Sequence, residues 1–523
     1  MPKTETETPK MKPRPIVRLG IFLISHSLLV CVVCCTAGVV ALLLLPLLAK
    51  NTYISENALM PGSASSMVSN RDISEANRLA SDLNGLNFEP QDAAALESRG
   101  ILTKYMSDLG AEVSYHKFHH KPNQFHPLHF FSSPDSTSSV DNFSCSAQGV
   151  NTVGIIRAPR GDGKEAIVLV TPYKFGKSGT AETLSLSIAY AVFSLLSRVT
   201  WLAKDIIWLV ADSQYGEYAP VEAWLRDYHT PVFTGLGALN ADTYRAGTMA
   251  AALIFKVADR NELLEDTLNI YAEASNGQMP NLDLINIVNY LAVHRQGLRV
   301  KVEKVLSLLD SRWLEILGEI FEVLGKVARS LNPGWKFGIS AADYVEGSAT
   351  LASSLYNQAL GIPTGPHGAF RDFQVDAITL EISPKVSSHN KARHNEFLLR
   401  GGRLVEGVVR SINNLLEKFH QSFFLYMLTS PNHGNGSTPQ KKFFSFMYGA
   451  QLFHCFHISF SQIPNCSPTS SSVIWVSLSM LGLLILYLIA GSPSTHVSIS
   501  QHEEKVGALL LVPMCLMAQP FEA

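Results

Sequence analysis

The sequence predicts an α/β domain, a mostly parallel or mixed sheet flanked by helices, carried on an N-terminal transmembrane helix and followed by one C-terminal transmembrane helix. Three observations lead there. Between residues 149 and 428, short apolar runs of strand length alternate with longer runs of helical spacing, the pattern of a sheet covered on both faces. Near the N-terminus, residues 21–48 carry no charged side chain and exceed the roughly 20 residues a spanning helix needs. Charged residues make up only 16% of the 523, against about 25% in an ordinary soluble domain. The mean hydropathy of +0.12 is too mild for a chain that spans a bilayer many times, so the apolar excess is local. Forty-two basic against 44 acidic residues leave no electrostatic footprint for nucleic acid. Seven cysteines are too few for a disulfide scaffold of this size.

The first segment sets the topology. Lys3, Lys10, Lys12, Arg14 and Arg18 precede the apolar run and only Lys50 follows it closely. The positive-inside rule then places residues 1–20 in the cytosol as an N-terminal tail, and residues 51–428 across the membrane. The competing reading is a cleaved signal peptide, but its apolar core is usually about 7–15 residues. Asn142-Phe-Ser144 and Asn435-Gly-Ser437 fit the glycosylation sequon and agree with a lumenal side.

The body follows in order. Residues 92–110 have helical spacing at Leu96, Leu102, Met106 and Leu109, closed by Gly110. Residues 116–146, rich in Ser, His and Pro, read as a loop; their histidines match no known metal spacing. Strands are expected at 150–157 and 166–170, around a Gly-rich turn at 160–163. A helix at 178–198 leads to the continuous apolar strand 205–211, as expected of a strand buried on both faces. Residues 219–228 form the next helix, with Pro220 in its first turn, where no amide donor is needed. Strands at 248–257 and 267–273 and helices at 281–293, 313–327 and 341–360 follow. A late strand, 375–382, and a long helix, 398–428, complete the domain.

Several segments together resemble one family. They are Tyr53-Ile-Ser-Glu-Asn-Ala58, Gly149-Val-Asn-Thr-Val-Gly-Ile-Ile-Arg-Ala-Pro159, Ala203-Lys-Asp-Ile-Ile207 and Glu222-Ala-Trp-Leu225 with Tyr228-His229. After these come Asn276-Gly-Gln-Met-Pro-Asn-Leu-Asp-Leu284, Gly365-Pro-His-Gly368 and Leu415-Leu-Glu-Lys-Phe-His-Gln-Ser-Phe-Phe424. In this order, over residues 16–428, they resemble the Gaa-type subunit of the GPI transamidase, which attaches glycosylphosphatidylinositol anchors to proteins in the endoplasmic reticulum. The resemblance implies an aminopeptidase-like lumenal domain, similar to that of zinc-dependent di-metal enzymes. It also implies a membrane complex with a separate cysteine-protease-like catalytic subunit. The other implied partners are the GPI lipid and the C-terminal signals of proproteins.

That likeness can be checked residue by residue. A di-metal centre needs about five His, Asp or Glu ligands at the carboxyl ends of neighbouring strands, and a carboxylate base. The strand at 166–170 ends instead in Thr171-Pro-Tyr-Lys174, which offers a cation. The bridging aspartate is missing, with Glu182 the nearest carboxylate. A single Asp212 stands where a Glu-Glu pair belongs, and His367 takes the place of the late histidine. A two-metal hydrolytic centre is therefore not encoded. One zinc on Asp212 and His367, completed by Glu182 or Glu217, stays open; no cofactor is the expectation. Plainer readings also stand: Asp212 as a helix N-cap and His367 as a hydrogen-bonded loop histidine. No Gly-x-Ser-x-Gly elbow or dinucleotide fingerprint is present.

The sequence therefore points to a non-catalytic membrane subunit that recognises or positions anchor or substrate. The alternatives are a single-metal amide-bond enzyme of aminopeptidase type and an inactive truncated form. The last arises because the resemblance ends near Thr429. Beyond it come an irregular linker, 429–472, a second spanning candidate, 473–490, and a tail, 491–523; the family continues there with a bundle of spanning helices.

Overall fold

The computed structural model describes residues 27–48, 54, 57–85, 91–119, 148–175, 179–229, 245–258, 266–302, 306–332, 339–384, 391–415 and 419. The N-terminal tail, Asn142, Asn435 and everything from residue 429 onward lie outside the described residues. The chain divides into two units. Of the first, Met1–Leu42 with Asn465–Ala523, the described part is a length of helix. The second, Leu43–Pro464, holds the α/β domain.

Helix α1 (Ser27–Leu48) has 22 residues, Pro46 in its last turn and no charged side chain. Its side chains are described only in part. Among the described residues, no helix is long and apolar enough to cross a membrane.

The domain is built on one eight-stranded sheet, in the order β1-β2-β4-β3-β5-β8-β6-β7. The strands are β1 (Glu112–His119), β2 (Gln148–Ile156), β3 (Glu165–Tyr173), β4 (Asp205–Asp212), β5 (Thr248–Val257), β6 (Thr267–Tyr271), β7 (Arg299–Val302) and β8 (Asp376–Ser383). The central four, β4, β3, β5 and β8, run parallel. β2 lies antiparallel to β4, and β6 antiparallel to β8. The sheet is mixed, with a parallel core.

The parallel core follows from composition. β4 is buried at every residue, so its side chains alternate between two apolar layers rather than between core and water. Ile206, Trp208 and Val210 join one layer, with helices α2 (Asn70–Asn84), α3 (Gln91–Asp108), α4 (Thr180–Leu196), α6 (Leu282–Tyr290) and α9 (Lys391–Asn413). Ile207, Leu209 and Ala211 join the other, with α5 (Tyr218–His229) and the short turn Gly368–Arg371. Trp208 anchors the first layer. Its ring lies 5.0 Å from Phe193 and its indole N–H donates to Thr171 Oγ1 at 3.1 Å. Each such large side chain stabilises the fold by roughly 1.5–3 kcal/mol on burial.

Two local readings are corrected, and two elements the sequence did not announce, β7 and α2, are added. The stretch expected as a loop from residue 116 begins as β1, paired along its length with β2. β1 is an edge strand, and edge strands keep polar residues that blur the apolar alternation. β7 is another short, polar edge strand. α2 carries its own start signal, since the Ser69 N–H and hydroxyl both donate to Asp72, three residues on. α9 begins at Lys391, well before the apolar residues that mark it in sequence.

The segment after α1 is fastened to the domain by a buried carboxylate. Glu406 on α9 accepts from the Met67 and Val68 amides and from the Ser66 hydroxyl, and pairs with Arg410. Burial pushes Glu406 up from the ordinary carboxylate range, against the pull of the Met67 amide and Arg410. Gly62 comes so near α9 that a Cβ there would lie 2.3 Å from the Gly407 carbonyl, an approach only glycine permits.

Two further helices, α7 (Arg312–Leu331) and α8 (Ala341–Leu360), pack side by side. Leu44 and Leu47, at the end of α1, share a cluster with Leu314, Leu317, Phe321, Ile339 and Tyr344. The Tyr344 hydroxyl donates to the Leu43 carbonyl at 2.9 Å.

Candidate functional site

In a sheet with a parallel core, polar groups gather where the strands end, because the chain leaves the apolar layers there. β3 and β4 end side by side, with Tyr173 opposite Asp212. Asp212 is buried. Its carboxylate accepts from Arg99 Nη2 at 2.7 Å, from the Val150 amide at 3.2 Å and from the Gln214 amide at 3.4 Å. The last of these caps the turn Ser213–Tyr215. Arg99 itself lies over the Phe175 ring, 4.6 Å from its centroid. Asp212 is thus an internal counter-ion with its lone pairs engaged.

Glu182 stands in the first turn of α4, where a carboxylate complements the helix dipole. It reaches back to the Gly179 amide at 3.3 Å and pairs with Lys174 Nζ at 3.1 Å. The cation that follows β3 in sequence therefore neutralises the carboxylate that begins the next helix.

A second polar cluster lies on the α5 side of the sheet, across β5, β8 and β6. Lys256, on an otherwise apolar β5, pairs with Glu217 at 3.1 Å and lies over the Tyr271 ring, 5.8 Å from its centroid. Glu381 stands opposite Lys256 in the β5–β8 register and accepts from the Tyr271 hydroxyl at 2.7 Å. Tyr218, next to Glu217, is pushed well above the usual phenol range by burial.

His367 lies beneath this cluster and is fully buried. Nδ1 is 2.9 Å from Thr379 Oγ1, and Nε2 is 2.9 Å from the Glu273 carbonyl. A carbonyl only accepts, so Nε2 carries the proton and Nδ1 accepts from the threonine hydroxyl. Burial, against the pull of the carbonyl contacts and with a smaller push from the nearby Lys256 charge, lowers its pKa to about 4. The ring stays neutral, with neither nitrogen free.

These donors do not fit a resident zinc. Both nitrogens of His367 are engaged, and Asp212, Glu182 and Glu217 each face a cation of the chain. Among the described residues, no group of three or more His, Cys, Asp or Glu could hold a metal ion. The geometry brings Glu217 and His367 to one face around Lys256, while Asp212 and Glu182 keep separate partners at the ends of β3 and β4. The sequence singles out Asp212 and His367, with Glu182 or Glu217, as possible metal ligands, and Lys174 as a cation beside them. It does not single out Arg99, Lys256, Tyr271 or Glu381. The available signal was Lys256, a lone cation at the end of the apolar strand TMAAALIFKV.

The Gaa1-like, GPI transamidase component family model matches residues 148–433. The GPI transamidase component GAA1 of Saccharomyces cerevisiae is 26% identical over 430 residues, covering 80% of this chain and 55% of that protein. The corresponding gaa1 component of Schizosaccharomyces pombe is 25% identical over 390 residues, covering 73% and 55%. The chain thus spans about half the length of the curated relatives it matches. Among solved structures, the LapA aminopeptidase of Legionella pneumophila is 10% identical with a TM-score of 0.35, covering 71% of this chain and 76% of that one. A zinc aminopeptidase from Bacillus subtilis is 9% identical with a TM-score of 0.36, covering 66% and 95%.

Proposed function

The chain belongs to the Gaa1-like family of GPI transamidase components, and from that premise we propose that it is a non-catalytic membrane subunit of the transamidase. It positions the GPI anchor, or the C-terminal signal of the proprotein, for a separate cysteine-protease-like subunit that performs the chemistry. The observation that carries this reading is the reach of the family match. Residues 148–433 take in seven of the eight strands, β2 to β8, and helix α9.

The strand ends support the non-catalytic part. A hydrolytic carboxylate must be free to bind a metal or take a proton from water. Here Asp212, Glu182 and Glu217 are committed to Arg99, Lys174 and Lys256. The partly exposed cluster of Lys256, Glu217, Tyr271 and Glu381 carries both signs of charge, and a peptide or a phosphate-bearing headgroup would bind there by exchanging partners with these pairs.

The protein resides in the endoplasmic reticulum membrane, with its N-terminus in the cytosol and the α/β domain in the lumen. α1 spans the bilayer within residues 21–48, and residues 473–490 span it again. Asn142 and Asn435 are glycosylation acceptors.

Affinity purification of the tagged chain from detergent extracts tests the assignment. The other transamidase subunits are expected in comparable amount; recovery of the chain without them overturns it. The single-metal reading has its own measurement. Elemental analysis is expected to find zinc far below one equivalent, and one equivalent lost in both Asp212→Ala and His367→Ala would restore that reading.

A further inference from the structure

Helix α7 advances about 100° per residue and so divides into three arcs. One arc turns inward. Leu314, Leu317 and Phe321 pack with Tyr344 and the end of α1, and a Cβ on Gly318 would lie 2.9 Å from the Ala341 carbonyl. A second arc is charged, carrying Glu315, Glu319, Glu322, Lys326 and Arg329, with Arg312 at its edge. The third carries Trp313, Ile316, Ile320, Val323, Val327 and Leu331, exposed by 48–80%. Single apolar residues at a surface need no explanation, but a continuous stripe along a whole helix marks an interaction face.

What covers the stripe follows from its neighbour. α1 has 22 residues and no charge; at 1.5 Å per residue it is about 33 Å long, close to the roughly 30 Å of a bilayer's hydrocarbon core. Its last residues, Leu43 to Leu47, touch α7 and α8. A helix packed against the end of a spanning helix sits at the depth of the membrane surface. Three acidic residues balance three basic ones along α7, so no electrostatic pull toward a charged partner is built in. An apolar arc, a charged arc and an exposed Trp together suit a helix lying flat at the lipid–water boundary.

We propose that α7 is an interfacial membrane helix. Its Trp313–Leu331 stripe is immersed in the acyl boundary of the leaflet where α1 ends, its charged arc faces water, and its inward arc holds the α/β domain close to the lipid. The occupant is the lipid surface itself. The proposal rests on reading α1 as a membrane span.

The test uses the full chain in phosphatidylcholine vesicles, with a genetically encoded environment-sensitive fluorophore at Val323, Glu319 or Val39. The vesicle lipids carry quenchers at shallow or deep acyl positions. At Val323 the emission is expected to shift to the blue and to be quenched about twofold more by shallow than by deep quenchers, with Glu319 unquenched. Emission at Val323 that is water-like, or blue-shifted without lipid quenching as under a protein partner, overturns the proposal. The Val39 label separates the two readings: deep quenching there with none at Val323 rejects only the interfacial helix. No deep quenching at Val39 rejects the span and the proposal together. High salt is expected to leave quenching at Val323 unchanged, and release by salt would overturn the apolar mode of binding.

Discussion

The strand ends and the α7–α8 pair meet their surroundings in opposite ways. At the strand ends nearly every charge is answered from within: Arg99 on Asp212, Lys174 on Glu182, Lys256 on Glu217. On α7 an apolar stripe is left between about half and four-fifths exposed. A region whose charges are internally satisfied is built to hold a shape. A region whose apolar surface is unsatisfied is built to meet something else. In this chain the ends of β3, β4 and β5 are closed by ion pairs of its own, and the outward-looking surface lies beside the end of α1.

The largest effect that tests this contrast is at Arg99. Replacing it with Leu leaves Asp212 buried and unpaired, which costs about 3–5 kcal/mol. Urea unfolding of the detergent-solubilised chain should show that loss, and the double variant R99L/D212L should recover much of it. If Arg99→Leu is instead neutral for stability while assembly with partner subunits fails, Asp212 is a functional group and the strand ends are not mere scaffold.

A smaller effect comes from His367. Its folded-state pKa is about 4 against roughly 6.5 in the unfolded chain. The unfolded state therefore binds the proton first as pH falls. Above pH 6.5 both states are neutral and His367 contributes no pH dependence. Between about 6.5 and 4 stability declines, by roughly 3 kcal/mol in all, and below 4 the loss stops growing. His367→Gln retains a donor and an acceptor but no titration, so its unfolding free energy should be flatter over that window. A wild-type profile equally flat would mean that the ring is not held neutral as its two contacts imply.

Much of this architecture was readable in advance, for identifiable reasons. β3, β4 and β5 are buried on both faces, so they appear as unbroken apolar runs that need no tertiary knowledge. β1 and β7 lie at sheet edges, where Glu112, Lys117, Arg299 and Lys301 interrupt any pattern. Asp212 and His367, with Glu182 or Glu217, drew notice because the family resemblance assigns ligands to strand ends and helix starts. Their partners did not, because Arg99 and Lys256 arrive from elements 113 and 39 residues away. Spacing along a chain does not encode such meetings. For α7, periodicity shows that one side is apolar and the other charged. It does not show that the apolar side divides into a packed arc and a bare one. That division depends on Gly318 and on α8, which takes up Leu314, Leu317 and Phe321 and leaves Ile320 and Val323 outside.

The smallest expected effect on stability is the most telling for the bare arc. Ile320→Glu, alone or with Val323→Glu, removes apolar groups that face outward, so unfolding of the full chain in mild detergent should move by no more than about 0.5 kcal/mol. A Phe321→Ala control, one arc away and packed on Tyr344 at 5.1 Å between ring centroids, should cost several times more. The two substitutions sit one residue apart on the same helix, so propensity and fraying cannot explain a difference between them. If Ile320→Glu costs as much as Phe321→Ala, the stripe is covered within the chain, and the contrast between closed strand ends and an open helix face collapses. If it costs nothing but weakens vesicle association, the same residue separates folding from membrane contact. Exposed apolar surface on α7 is then maintained for what it touches rather than for what it stabilises.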